Sequence, residues 1–229
     1  MNNRVIIVSA TYNTEKFIGK NIISTKKQQY SNFKHIIIDD KSTDNTYSVA
    51  KKHIGENSNY LLLRNQKKSC SLENIYNAIH KYTDDNDIVV ILDGDDFFAS
   101  SKVLGTINEI YNKQKCWLTY GSYVNLSNRS KGKFSKKIPQ FVVEKNLFRD
   151  YEWCTSHLRT FKSWLFKEIK KGDLESSDGK FYDMAGDLAI MFPMLEMASK
   201  NSFYVDEILY VWNDLNELND HKINNSKQM

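Results

Sequence analysis

The sequence has few of the residues that interrupt or cross-link a chain: 2 prolines, 9 glycines and 3 cysteines in 229 residues. The cysteines, Cys70, Cys116 and Cys154, are odd in number, lie far apart and belong to no CxxC or Cys/His pattern. This arrangement argues against a disulfide framework and against a zinc site. Free thiols are typical of a reducing compartment, so we expect the protein to be cytoplasmic.

Long apolar runs are also missing. The first apolar run, residues 5–8, is shorter than the apolar core of a secretion signal, and no stretch approaches the roughly 20 residues that a membrane-spanning helix needs. The formal net charge is +4, which does not by itself indicate nucleic-acid binding. These absences predict a soluble protein with no transmembrane segment and no nucleic-acid partner.

Two nucleotide-binding motifs are absent. Residues 9–17 contain no glycine, which excludes the GxGxxG turn of a dinucleotide-dependent dehydrogenase, and no GxxxxGK[ST] sequence is present. A sugar-nucleotide pyrophosphorylase would be expected to carry a glycine-rich basic loop after the first strand, and none exists. A glycosidase needs two carboxylates that flank a sugar bond, and sequence spacing alone does not exclude that arrangement.

The sequence does contain four short apolar runs, each followed by a segment typical of a helix. The runs are residues 5–8, 35–38, 60–63 and 88–92, and helical spacing is clear at 43–53, 71–82, 101–113 and 187–198. Continuous apolar runs suit strands that are buried on both faces. The alternation predicts an α/β fold with a mostly parallel central sheet flanked by helices. Further strands are expected at 117–124, 203–205 and 209–212.

Polar residues follow three of the predicted strands, at residues 9–13 (SATYN), 39–44 (DDKSTD) and 93–96 (DGDD). Ligands of open α/β sheets bind outside the carboxyl ends of the strands, so these segments are expected to meet. Asp93 and Asp95 offer the hard oxygen ligands that Mg²⁺ or Mn²⁺ prefers, and Gly94 lets the backbone bend between them. The alternative is an acidic turn that caps the next helix.

Asp40 and Tyr12 fit a nucleoside. A carboxylate can accept a hydrogen bond from N3–H of uracil or thymine, which cytosine lacks, and an aromatic ring can stack on the base. The alternative is that Asp39 or Asp40 caps the helix that begins near Thr43. The two roles are compatible, because one aspartate could bind the base while the other caps the helix.

Together, residues 5–13, 39–44 and 92–96 resemble the signatures of family 2 glycosyltransferases in order and spacing. The resemblance implies a GT-A fold, a nucleotide-diphosphate sugar donor and a Mg²⁺ or Mn²⁺ ion. It also implies roles for individual residues. The donor nucleotide would contact Ala10, Thr11, Tyr12, Asn13, Asp40, Asn74 and Asp93, and the metal would be held by Asp93 and Asp95.

One segment departs from the family pattern. Family members often show Ala-Arg-Asn in the third helix, whereas residues 72–74 are Leu-Glu-Asn. Asn74 keeps its place, but the arginine is missing. Arg64, Lys67 or Lys68 could supply the positive charge, and solvated surface positions are an equal alternative.

The second half supplies a candidate base and an acceptor side. By resemblance, Asp187 before the helix at 188–191 is the carboxylate that deprotonates the acceptor hydroxyl, with Asp183 as the fallback; the alternative is an ordinary helix cap. Trp153, His157 and Arg159 are expected on the acceptor side. His221 in the C-terminal tail could act as a further metal ligand.

The sequence therefore predicts one GT-A domain over residues 1–229, with a nucleotide-sugar-binding half at 1–115 and an acceptor-binding half at 116–229. The predicted function is inverting, metal-dependent transfer from a nucleotide-diphosphate sugar, with a UDP-sugar favoured, to a glycan, glycolipid or glycoprotein acceptor. The alternative is a non-catalytic module that binds a nucleotide sugar or assists an active transferase.

Overall fold

Four apolar strands form one side of the central sheet in the structure, a computed structural model that describes residues 2–218. These strands are β1 (Val5–Thr11), β2 (Phe33–Asp39), β3 (Tyr60–Arg64) and β4 (Ile88–Ile91). They run parallel in the order β3-β2-β1-β4. The four strands predicted from apolar runs in the first half are therefore confirmed.

Helices cover both faces of this sheet, which explains why its strands are apolar on both sides. One face packs on α1 (Ile18–Lys26), α2 (Thr46–Ile54) and α4 (Val103–Gln114), and the other on α3 (Ser71–Tyr82), α6 (Ser163–Lys167) and α7 (Gly186–Ala198). A short helix, α5 (Gln140–Glu144), lies between α4 and α6 along the chain. The α1 helix was not among the helices given bounds from the sequence.

The second half extends the same sheet with β5 (Phe97–Phe98), β6 (Leu118–Asn125), β7 (Arg159–Lys162) and β8 (Ser202–Trp212). The full order is β3-β2-β1-β4-β7-β6-β8-β5, and β7 runs antiparallel to both of its neighbours. The sequence did not predict β7, because its four residues include only one apolar side chain. Since β7 is antiparallel, it starts at the edge where β4 ends, and Arg159 pairs with Ile91.

The sequence predicted two strands at 203–205 and 209–212, and this count is wrong. The structure has one strand, β8, whose pairing with β6 shifts register near Gly121. Val205 pairs with Gly121 and Ile208 with the next residue, so two exposed residues, Asp206 and Glu207, bulge out of a continuous strand.

Within residues 2–218, no helix is long and apolar enough to cross a bilayer. The three cysteines are free thiols. Burial raises the pKa of the Cys116 and Cys154 thiols to about 11, so both are protonated and unreactive at neutral pH.

Candidate active site

A cleft of about 540 Å³ opens at the carboxyl ends of β1 and β4. It is bounded by the loop after β4, the start of β7, the start of α7 and the segment after β8. Most residues that the sequence singled out line this cleft: Ala10, Thr11, Tyr12, Asp93, Asp95, Trp153, His157, Arg159 and Asp187. Two of the three polar strand ends, residues 9–13 and 93–96, thus meet at the cleft, whereas no residue of 39–44 lines it.

Asn13, Asp40 and Asn74 do not line the cleft, although they lie next to segments that do. Asn13 has a left-handed backbone (φ 53°), and its side-chain oxygen accepts a hydrogen bond of 2.8 Å from Thr43 N–H. This contact joins the loop after β1 to the loop after β2. In this structure Asn13 holds the site's framework together and does not face the cleft.

The DGD loop after β4, residues 93–95, is packed closely against the end of β1. A Cβ atom on Gly94 would lie 2.4 Å from Thr11 Oγ1, a distance that side chains do not tolerate. The side-chain amide of Asn21 donates to the carbonyls of Asp93 and Asp96, at 2.9 Å each. Glycine is therefore required at position 94, and α1 holds both ends of the loop.

Asp95 and Asp96 have different surroundings. Asp95 Oδ2 accepts a hydrogen bond of 2.6 Å from the Asn216 side chain, at the rim of the cleft. Asp96 is buried and accepts from Tyr210 O–H at 2.5 Å and from Asn213 N–H at 2.7 Å. Burial raises the pKa of Asp96 well above its ordinary value. Asp96 therefore anchors the end of β8 beneath the loop, and Asp95 faces the cleft rim.

Arg159 lies between the two carboxylates to which the sequence gave separate roles. Its NH1 is 3.2 Å from Asp187 Oδ2, and its NH2 is 3.7 Å from Asp93 Oδ2. Burial raises the pKa of Asp93, and the positive charge of Arg159 acts in the opposite direction. The sequence placed Arg159 on the acceptor side; the structure places it where the donor side and the predicted base meet.

His157 is a buried neighbour of this arginine. Arg159 NH2 lies 3.0 Å from His157 Nδ1, and the His157 ring stacks on Tyr210 with 4.3 Å between centroids and 6° between planes. Burial and the nearby guanidinium hold the His157 pKa well below its ordinary value, so the ring is neutral and Nδ1 accepts from Arg159. His157 therefore supports Arg159.

Possible metal ligands fall into two sets. Ligand atoms of Asp93, Asp96 and His157 all lie within 4.8 Å of one another. However, both oxygens of Asp96 and Nδ1 of His157 already take part in hydrogen bonds to protein groups. Asp93 and Asp95, the pair predicted from sequence, are partly exposed on the cleft. The predicted ligand His221 lies outside the described residues.

Asp187 lies in the first turn of α7, two residues after the N-cap, Ala185. It is therefore not the helix cap that the sequence left as an alternative. Its Oδ1 accepts from Leu188 N–H at 3.0 Å, and its Oδ2 faces Arg159. The side chain is 37% exposed. Asp183, the fallback, also lines the cleft.

Asp40 is held by a small polar network at the end of β2. Its Oδ1 accepts from the Asn65 side chain at 2.7 Å and from Ser69 N–H at 2.9 Å. Asn65 also donates to Asn74 Oδ1 at 2.7 Å, and the Nδ2 of Asn74 is buried without a hydrogen-bond partner. Asp40 therefore does not cap α2. Asn65, which the sequence analysis missed, fixes the orientation of Asp40.

Two of the three cations proposed to replace the missing arginine contact other groups here. Arg64 Nε lies 3.0 Å from Asp39 Oδ2 on the outer side of β2, and its guanidinium covers the Tyr47 ring. The ammonium of Lys68 lies 3.6 Å from the centroid of Tyr12, the ring predicted to stack on the base. Lys68 is therefore near the predicted nucleoside site, whereas Arg64 is paired with Asp39.

Aromatic side chains form the outer part of the cleft. Trp153 lines it and packs edge to face on Phe192, with centroids 5.5 Å apart, and Trp212 lines it from the end of β8. Phe134 and Tyr182 also line the cleft and are 36% and 41% exposed. The sequence analysis missed both, because they belong to polar loops without periodicity.

Comparisons with known proteins agree with this geometry. The profile of the family described as Glycosyl transferase family 2 matches residues 6–169. Among curated proteins, the glycosyltransferase GlyG of Streptococcus pneumoniae is 24% identical over 226 residues, which cover 93% of this chain and 71% of GlyG.

Two solved structures share the fold. Staphylococcus aureus TarS, residues 1–349, in complex with UDP-GlcNAc has a TM-score of 0.69 at 16% identity over 92% of this chain. The mannosyltransferase PcManGT of Pyrobaculum calidifontis, in complex with GDP-Man and Mn²⁺, has a TM-score of 0.64 at 16% identity over 96% of this chain. The chain spans 58% and 59% of the lengths of these two chains. The predicted GT-A fold is therefore confirmed.

Proposed function

The chain belongs to glycosyl transferase family 2, and we propose that it moves a sugar from a nucleotide-diphosphate donor to an acceptor hydroxyl with inversion at the anomeric carbon. The observation that carries the proposal is the cleft itself. The predicted nucleoside-stacking ring (Tyr12), the DGD loop (Asp93 and Asp95) and the predicted base (Asp187) line one continuous space.

The charge of this cleft supports a requirement for a divalent cation. Five aspartates line it, whereas a single arginine and no lysine do so among the described residues: Asp93, Asp95, Asp96, Asp183 and Asp187 against Arg159. A donor diphosphate would bring further negative charge into an acidic cleft. Its binding therefore needs positive charge beyond that of the residues that line the cleft.

Asp93 and Asp95 would hold this ion, because they are partly exposed carboxylates of the kind that Mg²⁺ and Mn²⁺ prefer. When bound, such an ion neutralises charge that develops on the leaving diphosphate.

A uridine nucleotide is the favoured donor because of the orientation of Asp40. Two protein donors take Oδ1, and no described residue donates to Oδ2. Oδ2 can accept N3–H of uracil, whereas N3 of cytosine is itself an acceptor. Guanine also presents an N–H at its edge, and PcManGT was solved with GDP-Man, so GDP is the nucleotide to test against UDP.

The transfer step needs one base. Asp187 takes the proton of the acceptor hydroxyl as that oxygen bonds to the anomeric carbon from the face opposite the diphosphate. The bond from the anomeric carbon to the diphosphate oxygen breaks, and its electron pair leaves with the nucleoside diphosphate. The acceptor would be a glycan, glycolipid or glycoprotein hydroxyl that enters past Trp153 and Tyr182. Residues 1–115 would thus bind the donor and 116–229 the acceptor.

Calorimetric titration of the protein with UDP, with and without Mn²⁺, tests the donor site. We expect UDP to bind in Mn²⁺ and to bind much more weakly without it. Asp95→Asn should remove the difference between the two conditions, whereas CDP should bind poorly in both. Equal UDP affinity with and without Mn²⁺ would refute the metal requirement, and tighter binding of GDP than UDP would refute the uridine preference.

The competing proposal is a non-catalytic module that binds a nucleotide sugar. The observation that favours it is Glu73, which occupies the place of the family's arginine and is hydrogen-bonded to Ser69. The two proposals differ in turnover. Release of UDP from UDP-GlcNAc, the donor bound in the TarS structure, would support the transferase; binding without any release would support the module.

A further inference from the structure

Arg159 is the one buried lysine or arginine among residues 2–218, at 5% exposure. Such burial is costly for a cation unless it is paired and hydrogen-bonded. Arg159 owes its position to the topology of the sheet: it is the first residue of β7, it pairs with Ile91 at the end of β4, and Asp93 follows two residues later. The antiparallel strand thus introduces a cation beneath an acidic cleft.

The two terminal nitrogens of Arg159 have different partners. NH1 lies 3.2 Å from Asp187 Oδ2, and NH2 lies between His157 Nδ1, at 3.0 Å, and Asp93 Oδ2, at 3.7 Å. A guanidinium is planar and its nitrogens are at fixed separations. Fixing its plane therefore fixes the position of Asp187 relative to Asp93.

The orientation of the guanidinium is supported by a second layer of side chains, beginning with His157. His157 stacks on Tyr210, and Tyr210 donates to Asp96 at 2.5 Å. A chain of contacts thus runs from β8 through Tyr210 and His157 to Arg159. Within residues 2–218, the one other hydrogen bond to the Asp187 carboxylate comes from the backbone N–H of Leu188. Without Arg159, its carboxylate would be free to adopt other rotamers in the cleft.

We infer that Arg159 is a positioning residue that holds the base Asp187 at a set distance from the donor-side carboxylate Asp93. This inference rests on the proposed function, in which Asp187 acts on a hydroxyl next to a donor held at Asp93. Arg159 has no part in the proton transfer itself. It acts through the placement of the base.

The test compares Arg159→Met and Arg159→Lys with a matched control, Arg149→Met. Arg149 is 2.6 Å from Glu196 near the other end of α7, so its loss also removes an ion pair to that helix, but it does not line the cleft. UDP release from UDP-GlcNAc with water as acceptor reports kcat, and UDP titration in Mn²⁺ reports donor binding. Circular dichroism reports the fold.

We expect Arg159→Met to lower kcat by about 100-fold, the scale of a misplaced catalytic group, and to change UDP affinity by less than about threefold. Lysine keeps the positive charge but lacks the planar guanidinium with its two terminal nitrogens, so Arg159→Lys should recover part of kcat. Arg149→Met should match the wild type. If Arg159→Met does not fold, the lysine variant provides the same comparison of kcat with binding.

A double variant separates this inference from the proposed function. Arg159→Met combined with Asp187→Asn should be no slower than Asp187→Asn alone, because Arg159 acts through Asp187. The positioning role would be overturned if the two substitutions lowered kcat by the product of their separate effects. It would also be overturned if the Arg159 variants lost kcat and UDP affinity in parallel. Full activity of Asp187→Asn would instead refute the proposed base.

Discussion

Replacement of Gly94 by alanine tests whether the DGD loop is as tightly packed as the structure shows. The new Cβ would lie 2.4 Å from Thr11 Oγ1, 2.5 Å from Thr11 Cβ and 3.1 Å from Ala10 O. Thr11 cannot easily move aside, because it is buried at the end of β1 and hydrogen-bonded to Thr14. The loop must therefore shift away from β1.

The cost of this shift is that of overpacking a well-packed region, about 1–3 kcal/mol of unfolding free energy. The shift also displaces Asp93 and Asp95, so we expect weaker UDP binding in Mn²⁺ in addition to lower stability. Urea denaturation and calorimetric titration measure the two effects on the same sample. The two losses are expected together, because one displacement causes both.

Gly105→Ala is the matched control. Gly105 lies in α4, and nothing is within 4 Å of an added Cβ there. Alanine in the interior of a helix should raise stability by about 0.5–1 kcal/mol and leave UDP binding unchanged. If Gly94→Ala is as stable as wild type and binds UDP normally, the close approach of the loop to β1 is wrong.

Three other predictions follow from the same contacts. Asp187→Asn should lower the rate of UDP release from UDP-GlcNAc to a small residual rate while UDP titration stays near wild type; equal loss of binding would refute its role as base. Asp40→Asn should shift preference from UDP to CDP in competition titrations, because the amide oxygen would keep the Asn65 bond and turn the NH₂ group towards the base; unchanged preference would contradict this orientation. Burial lowers the pKa of His35 to about 3, so the unfolded chain alone gains this proton between pH 6.5 and 3, and stability falls as pH drops through that range. Urea denaturation at pH 6.5 and at pH 5 measures this fall in the free energy of unfolding. The fall should be about 2 kcal/mol smaller in His35→Gln than in the wild type. Equal falls in the two proteins would contradict a buried neutral histidine.

The first half of the fold could be predicted because its strands are buried on both faces and end in polar residues. Continuous apolar runs indicate such strands, and parallel strands bring their carboxyl ends to one edge of the sheet. For this reason Thr11, Tyr12 and Asp93 were correctly expected to meet.

The second half was less predictable because its key residues depend on pairing between distant segments. β7 is short and partly polar, so neither its existence nor its antiparallel direction could be seen in the sequence, and the place of Arg159 depends on both. Asn65 is one of many polar loop residues, and only its two hydrogen bonds distinguish it. Phe134 and Tyr182 reach the cleft from loops that have no periodicity.

The most direct test of the proposed function follows hydrolysis of UDP-GlcNAc in Mn²⁺ by proton NMR and observes the first-formed anomer of the released sugar. The sugar of this donor is α-linked, so single displacement with Asp187 as base predicts that the β-anomer of N-acetylglucosamine appears first and that Asp187→Asn forms it only at a small residual rate. Initial release of the α-anomer, or Mn²⁺-independent release that survives Asp187→Asn, would contradict an inverting, metal-dependent transferase.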